Sequence, residues 1–272
     1  MTRVRLDLAY DGTEFAGWAR QRSGVRTVQQ TLEEALTAVM RLAEPVQLTV
    51  AGRTDSGVHA SGQVAHFDVP DGVWAAHRDK LLRRLAGKLP MDVRVYRAEA
   101  APVGFDARFA AMSRRYIYRV CDSAEGTLPT RRGFVLWHNR RLDLAALNEA
   151  SRLVLGEHDF AAYCKKREGA TTIRKVLDVH WERVRPDEVA ATIEADAFCH
   201  SMVRALVAAL LMAGDGRCAP EFPAQVLASR ERHPSVNVLP AHGLTLEEVR
   251  YPSAAELAAR VAETRKLRVL GC

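Results

Sequence analysis

Two successive cycles of short strands and helices run along this chain, and they restrict its fold more than any other feature. The first cycle opens with alternating apolar residues at 4–10 and closes with a strand at Val93–Ala98. The second opens at Ser113–Val120 and closes with a strand at Leu246–Tyr251. Because strands and helices do not alternate regularly, as they would in a parallel sheet, the pattern predicts two α+β halves joined near residues 101–105.

The helices are marked by caps and by apolar residues at helical spacing. Thr27-Val-Gln-Gln30 has the form of a capping box, and the helix that follows it extends to about Leu42. We expect the other helices near Trp74–Leu85, Asp143–Leu155, Ser201–Ala213, Phe222–Ser229 and Ala254–Arg265. Further strands are predicted up to Ala51 and at Gly62–Val69, Lys175–Glu182 and Glu188–Ala197.

Composition is that of an ordinary globular protein, with 48% hydrophobic and 26% charged residues in 272. No apolar run approaches the roughly 20 residues that a membrane helix needs. Charges within residues 1–20 also interrupt any signal-peptide core, so we expect a cytoplasmic location. The five cysteines are scattered and form no Cys-x-x-Cys pair, which predicts buried or inert thiols instead of a disulfide framework or a zinc site.

Positive charge is concentrated in one stretch. Between Arg78 and Arg132 there are 13 Lys or Arg against six Asp or Glu, an excess of seven where the whole chain has a net +6. The aromatic residues interleaved with this stretch are Tyr96, Phe105, Phe109, Tyr116 and Tyr118. Basic side chains follow phosphates and aromatic faces stack on bases, so the stretch favours an RNA partner; a solvated charged surface is the alternative.

The most chemically suggestive residues are Ala51-Gly-Arg-Thr-Asp-Ser-Gly-Val-His-Ala60. Asp55 comes two residues after Arg53 and directly before a Ser-Gly turn, at the end of a predicted strand. A carboxylate on a tight loop beside a fixed cation suits a nucleophilic or acid-base role. The same pattern is equally typical of an Asx-type turn, in which Asp and Gly only satisfy the backbone.

Arg204 is the one polar residue in a helix that is apolar on every other face, Met202 to Met212. Such a helix is expected to be buried, and a guanidinium there needs an anion or a route to water. Asp55 is the leading candidate for that anion. The alternative is a side chain that extends along the helix to reach solvent.

The strand Ser113–Val120 places Tyr116 and Tyr118 on one face, and Arg115 and Arg119 on the other. One tyrosine could pack against a flipped base beside a catalytic carboxylate. An edge strand with aromatic residues in the core and basic residues in solvent explains the same pattern.

Other catalytic motifs are missing from the sequence. There is no glycine-rich phosphate loop, no His-Glu-x-x-His and no Gly-x-Ser-x-Gly. His59 is better explained as a structural hydrogen-bonding residue than as a general base. We therefore expect no cofactor and no metal.

These residues match one family in order along nearly the whole chain. Gly52–Ala60 closely resembles the catalytic motif of the TruA-type tRNA pseudouridine synthases. Further matching segments are Tyr10-Asp11-Gly12-Thr13, Thr27-Val28-Gln29, Phe105-Asp106-Ala107-Arg108-Phe109, Arg114-Arg115-Tyr116-Ile117-Tyr118, Phe198-x-x-x-Met202-Val203-Arg204 and Gly243-Leu244-x-Leu246.

The resemblance implies an activity and a role for each site residue. The enzyme would isomerise uridine to pseudouridine at positions 38, 39 and/or 40 in the anticodon stem-loop of tRNAs. Asp55 would be the nucleophile and Tyr116 would lie against the uracil. Arg53 would occupy the space left by the extruded nucleotide, and Arg204 would hold Asp55.

The resemblance also implies a fold and an assembly. The pseudouridine synthase fold is α+β, with two ferredoxin-like halves that form one large, mostly antiparallel sheet with flanking helices. Here the halves would be residues 1–104 and 105–252, followed by a helical tail at 253–272. The partners would be tRNA and a second copy of the chain in a homodimer, with no membrane.

Two other classes of function stay open at this point. One is an RNA-binding protein that keeps this scaffold without turnover, against which the presence of all four site residues argues. The other is a hydrolase that uses Asp55 with His59, which would require a second carboxylate or a metal set.

Overall fold

The computed structural model describes residues 1–21, 24–165 and 171–264. The first six elements are β1 (Thr2–Tyr10), α1 (Val28–Met40), β2 (Thr49–Val50), β3 (His59–Val69), α2 (Asp71–Lys88) and β4 (Val93–Ala100). The next eight are β5 (Ser113–Cys121), β6 (Leu136–Trp137), α3 (Leu144–Arg152), β7 (Gly156–Asp159), β8 (Ile173–Arg185), β9 (Glu188–Ala195), α4 (Met202–Gly214) and α5 (Phe222–Ser229). The last are β10 (Leu244–Arg250) and α6 (Leu257–Thr264).

These elements form two compact units. The first contains Met1–Met112 and the segment that begins at Leu246, and the second contains Ser113–Thr245. The expected fold class, α+β with a large and mostly antiparallel sheet flanked by helices, is confirmed.

In the first unit, β1 lies between β4 and β3 and pairs antiparallel with both. β2 pairs with β3, which gives the strand order and connectivity of a ferredoxin-like βαββαβ unit. Helices α1 and α2 pack against each other, and α2 packs on β4. The core residues without solvent exposure include Val4, Leu6, Leu8, Leu32, Leu36, Leu81 and Leu85.

In the second unit, β5, β9, β8 and β7 are adjacent in that order and antiparallel. The short β6 extends the pairing at the C-terminal end of β5, in parallel. Helices α3 and α4 pack together, and α3 lies on β8. The sequence did not predict β6 or β7, because strands of two and four residues carry too little alternation to be recognised.

Most predicted elements are confirmed, and the differences concern their ends. Thr27 caps α1 by accepting a hydrogen bond from the Gln30 N–H, at 3.4 Å. The Gln30 side chain binds Glu34 on the next turn. The predicted C-terminal helix begins as a 3₁₀ turn at Ala254–Glu256, and Arg265 and the rest of the tail lie outside the described residues.

One cysteine pair corrects the sequence analysis. The sulfur atoms of Cys164 and Cys199 are bonded to each other, although inert thiols were expected. The two residues are 35 positions apart, and only the tertiary fold brings their Cα atoms to 5.7 Å. Spacing along the chain carries no sign of such a pair.

No helix in the described part of the chain is long and apolar enough to cross a membrane.

Candidate active site

The Asp55 loop connects β2 to β3 in the first unit and contains a tight turn. The Val58 N–H donates to the Asp55 carbonyl at 3.2 Å, and Gly57 has φ = 78°. This is the geometry of a type II turn with glycine at the position that needs positive φ. Asp55 is the first residue of that turn and is partly exposed, while Arg53 is exposed.

The loop between β1 and α1 holds the Asp55 loop through backbone hydrogen bonds. Trp18 N–H donates to the Thr54 carbonyl at 3.1 Å, and Gly57 N–H donates to the Phe15 carbonyl at 3.3 Å. The Ser56 hydroxyl donates to the same Phe15 carbonyl at 3.2 Å. The backbone on both sides of Asp55 is therefore hydrogen-bonded to the loop that contains Phe15 and Trp18, which fixes the position of the Asp55 main chain.

Two glycines allow these loops to approach so closely. A Cβ on Gly12 would lie 2.1 Å from the Val58 carbonyl oxygen. A Cβ on Gly17 would lie 2.9 Å from the Thr54 carbonyl oxygen, and Gly17 also has φ = 93°. Both contacts are with backbone, which cannot rotate away, so no side chain fits at either position.

His59 has the structural role that the sequence favoured. It is 1% exposed, and its Nδ1 accepts a hydrogen bond from the Gly12 N–H at 3.0 Å. The Asp11 carboxylate lies 3.1 Å from the same nitrogen. The His59 imidazole thus connects the end of the Asp55 loop to Asp11 and Gly12, which directly follow β1.

Tyr116 is on β5 in the second unit, where it pairs with Ile193 of β9. Its side chain is 7% exposed and meets the Phe198 ring edge-on, with centroids 5.2 Å apart. Tyr118 is fully buried, and its hydroxyl donates to the Pro240 carbonyl at 2.7 Å. Burial raises the pKa of Tyr118, which is a core anchor.

Arg204 is in the first turn of α4, as predicted, and is the one residue of that helix that is not buried. Its Nε donates to the Leu239 carbonyl at 2.6 Å. A backbone carbonyl therefore meets part of the guanidinium's need for an acceptor. The ion pair with Asp55 stays a prediction.

The basic stretch divides into two groups. Arg78, Lys80 and Arg83 are exposed on α2, whereas Arg131 is paired with the buried Glu188 at 2.8 Å. The aromatic residues divide as well, because Tyr96 is 54% exposed while others are core residues. Phe105, Tyr116 and Tyr118 are buried, and Phe105 and Tyr118, at 2% and 0% exposed, cannot stack on bases from the core.

The structure thus places Arg53 and Asp55 on one loop of the first unit, and Tyr116 and Arg204 in the second. Sequence reasoning missed Gln63, which is fully buried on β3 and donates to the Gly52 carbonyl at 2.9 Å. Its only signal was a polar residue inside a predicted strand. In the described part of the chain, no group of three His, Cys, Asp or Glu side chains could hold a metal ion.

Comparison with known proteins gives a consistent assignment. A sequence model of a family described as tRNA pseudouridine synthase matches residues 8–110 and 150–252. The tRNA pseudouridine synthase A of Streptomyces griseus is 61% identical over 99% of this chain and 96% of its own. The proteins of that name from Streptomyces avermitilis and Corynebacterium glutamicum are 57% and 48% identical, covering 99% and 98% of this chain and 96% and 95% of theirs. The chain belongs to the TruA-type tRNA pseudouridine synthases and is an isomerase that modifies uridine in tRNA.

Proposed function

We propose that this enzyme converts uridine to pseudouridine at positions 38, 39 and/or 40 of the tRNA anticodon stem-loop, with Asp55 as the nucleophile. The observation that carries the proposal is the Asp55 loop. Asp55 is a partly exposed residue on a turn whose backbone is hydrogen-bonded on both sides. A nucleophile must be held rigidly and remain accessible, and this loop meets both requirements.

The chemistry needs one anionic group at the sugar and the exclusion of water. The C1′–N1 bond breaks, the uracil turns, a C1′–C5 bond forms and the hydrogen on C5 leaves as a proton. The Asp55 carboxylate either attacks C1′ or stabilises an oxocarbenium-like centre there. Water must be kept from that centre, because its attack would give hydrolysis instead of isomerisation.

The other three residues act around Asp55. The target nucleotide has to leave its stack, and the exposed Arg53 on the same loop is placed to occupy or reorganise the vacated space. Tyr116 lies against the uracil ring. Arg204, whose Nε donates to the Leu239 carbonyl, pairs with Asp55.

We also propose that the enzyme is a cytoplasmic homodimer, with tRNA lying across both subunits. Each chain would consist of an N-terminal half at 1–104, a C-terminal half at 105–252 and a tail at 253–272. Serving several neighbouring positions favours recognition of tRNA shape and phosphates over base edges. The exposed basic residues of α2 suit that mode of recognition. Light scattering of the purified protein should give twice the mass of one chain.

The activity is tested with transcript tRNA that carries tritium at uracil C5. The wild-type enzyme should release tritium to water, and Asp55→Asn should release none while it still binds tRNA. Asp143→Asn is the matched control: Asp143 caps α3 by accepting from the Ala145 and Ala146 N–H groups, and Asn caps equally well. Full activity of Asp55→Asn and Asp55→Ala would rule out the assignment.

Two further experiments resolve the finer points. Transcripts that carry a single uridine at position 38, 39 or 40 should each release tritium if all three are substrates. Arg204→Ala should lower the rate or the melting temperature. If it changes neither, the pairing with Asp55 is wrong.

A further inference from the structure

A chain of buried hydrogen bonds lies beside the Asp55 loop in the first unit. The Tyr10 hydroxyl is 2.8 Å from the Thr54 hydroxyl. The Gln63 side-chain nitrogen is 3.2 Å from the Tyr10 hydroxyl and 2.9 Å from the Gly52 carbonyl. Tyr10, Thr54 and Gln63 are 4%, 6% and 0% exposed, so water does not compete for these bonds.

The direction of the Gln63 bonds follows from the hydrogens of its amide group. Gln63 Oε1 accepts from the Val64 N–H at 3.2 Å, so the amide nitrogen is the end that faces Tyr10 and Gly52. Its two hydrogens go to the Gly52 carbonyl and the Tyr10 oxygen. Between Tyr10 and Thr54 either hydroxyl can be the donor, and both arrangements join the two side chains.

Thr54 is therefore held from two sides. Its carbonyl accepts from the Trp18 N–H at 3.1 Å, and its hydroxyl is hydrogen-bonded to the Tyr10 hydroxyl. Gly52 is held in the same network through Gln63. Because both its main chain and its side chain are hydrogen-bonded, the rotation of the residue directly before Asp55 is restricted.

We propose that Tyr10, Gln63 and Thr54 are positioning residues that set the geometry of Asp55 for the chemical step. The proposal rests on the catalytic role of Asp55 proposed above. A misplacement of about 1 Å at a reacting group costs on the order of a hundredfold in rate, so the loss of this network should affect the chemical step more than tRNA binding.

The contribution of this hydrogen-bond network to the rate should not change with pH over the working range of the enzyme. Burial raises the pKa of Tyr10 to about 12, although the hydrogen bonds with Thr54 and Gln63 oppose the shift. The hydroxyl therefore keeps its proton between about pH 6 and 9. The rate ratio of wild type to Tyr10→Phe should be constant across that range.

The test compares single-turnover tritium release with tRNA binding. Thr54→Val removes the Thr54 hydroxyl at constant shape, and Tyr10→Phe removes the hydroxyl to which it is hydrogen-bonded. Each should lower the rate between about ten- and a hundredfold without weakening tRNA binding. Thr54→Ser restores the hydroxyl and should recover most of the rate. Because both deletions break the same bond, the double variant should be no slower than the slower single variant.

Tyr251→Phe is the matched control, because it removes a tyrosine hydroxyl that donates to the Ala107 carbonyl at 2.7 Å elsewhere in the unit. Its rate should equal that of the wild type. Wild-type rates in both Thr54→Val and Tyr10→Phe would overturn the proposal, as would equal losses in Thr54→Val and Thr54→Ser. If Thr54→Val does not fold, the test rests on the rate of Tyr10→Phe and on the ratio of the wild-type rate to that rate at each pH. If Asp55→Asn is inactive while these variants are fully active, only the positioning role fails.

Discussion

The Asp55 loop and helix α4 both carry charged side chains of the proposed site, Arg53 and Asp55 on the loop and Arg204 on the helix, and the two elements are held in place by different means. In α4, every residue except Arg204 is buried, so apolar packing on all sides fixes the helix. In the Asp55 loop, buried and exposed residues alternate irregularly between Ala51 and Ala60. Its position depends on a few backbone hydrogen bonds and on the close approach of Gly12 and Gly17.

This difference predicts different responses to mutation. Apolar burial is non-directional, so a helix that loses one core contact keeps its place and the chain loses stability. Hydrogen bonds and short backbone contacts are directional, so a loop that loses one of them shifts. Damage to α4 should therefore appear mainly in the free energy of unfolding, and damage to the loop mainly in the rate.

The largest effect on stability is expected from Leu210→Ala in α4. Leu210 is fully buried, and truncation of such a leucine costs about 2–5 kcal/mol through lost transfer energy and the cavity left behind. Urea denaturation measures the loss, and tritium release per folded molecule should change little.

Leu177→Ala on β8 is the control, because Leu177 is 46% exposed and its truncation should cost less than about 0.5 kcal/mol. Equal losses in the two variants would mean that packing around α4 is not what holds it. A collapse of the rate in folded Leu210→Ala would mean that the helix is as position-sensitive as the loop.

Gly12→Ala should have a smaller effect on stability and a larger one on the rate. Its Cβ would meet the Val58 carbonyl oxygen at 2.1 Å, so the two loops must separate, at a cost of about 1–3 kcal/mol. Since Val58 closes the turn that begins at Asp55, the carboxylate should move with it. Urea denaturation and tritium release on the same preparation measure both effects.

Gly87→Ala provides the matched glycine substitution. Nothing lies within 4 Å of a Cβ at Gly87, inside α2, so alanine should stabilise the helix by roughly 0.5–1 kcal/mol. If Gly12→Ala left the rate untouched, the close contact with Val58 would not be what positions Asp55.

The sequence predicted the surroundings of Arg204 on α4 more completely than those of Asp55 on its loop. An apolar run interrupted by Arg204 alone predicted a buried helix, because a helix that is apolar on every face has to be enclosed by the rest of the protein. The alternation of β5 likewise placed Tyr116 and Tyr118 on one face. Both inferences use regular structure, in which spacing along the chain determines direction in space.

The residues that hold the Asp55 loop in place leave no recognisable pattern in the sequence. Gln63 and Tyr10 contact the loop because β3 and β1 pair in a particular register, and the register depends on the whole sheet. The Cys164–Cys199 pair was missed for the same reason. Tight turns and long-range pairs are determined by tertiary contacts, and a linear pattern carries little information about them.

The smallest effect concerns pH and tests whether directional bonds hold other parts of the first unit. His66 on β3 is 4% exposed, and its Nδ1 accepts from the Ala107 N–H at 3.0 Å. Burial, with the nearby charge of Arg3, lowers the pKa of His66 below its usual value of about 6.5. The unfolded chain therefore binds a proton near that pH while the folded chain does not. The stability from the neutral imidazole is complete above about pH 6.5 and is lost as the pH falls toward the folded-state pKa.

His66→Asn isolates this contribution, because the Asn side-chain oxygen can accept from Ala107 but does not titrate. The free energies of unfolding of wild type and variant, measured by urea denaturation between about pH 5 and 8, should converge as the pH falls. Other titrating groups are common to both proteins and cancel in the difference. Parallel curves would show that the pKa of His66 is the same in the folded and the unfolded chain, and that the bond to Ala107 adds no pH-dependent stability.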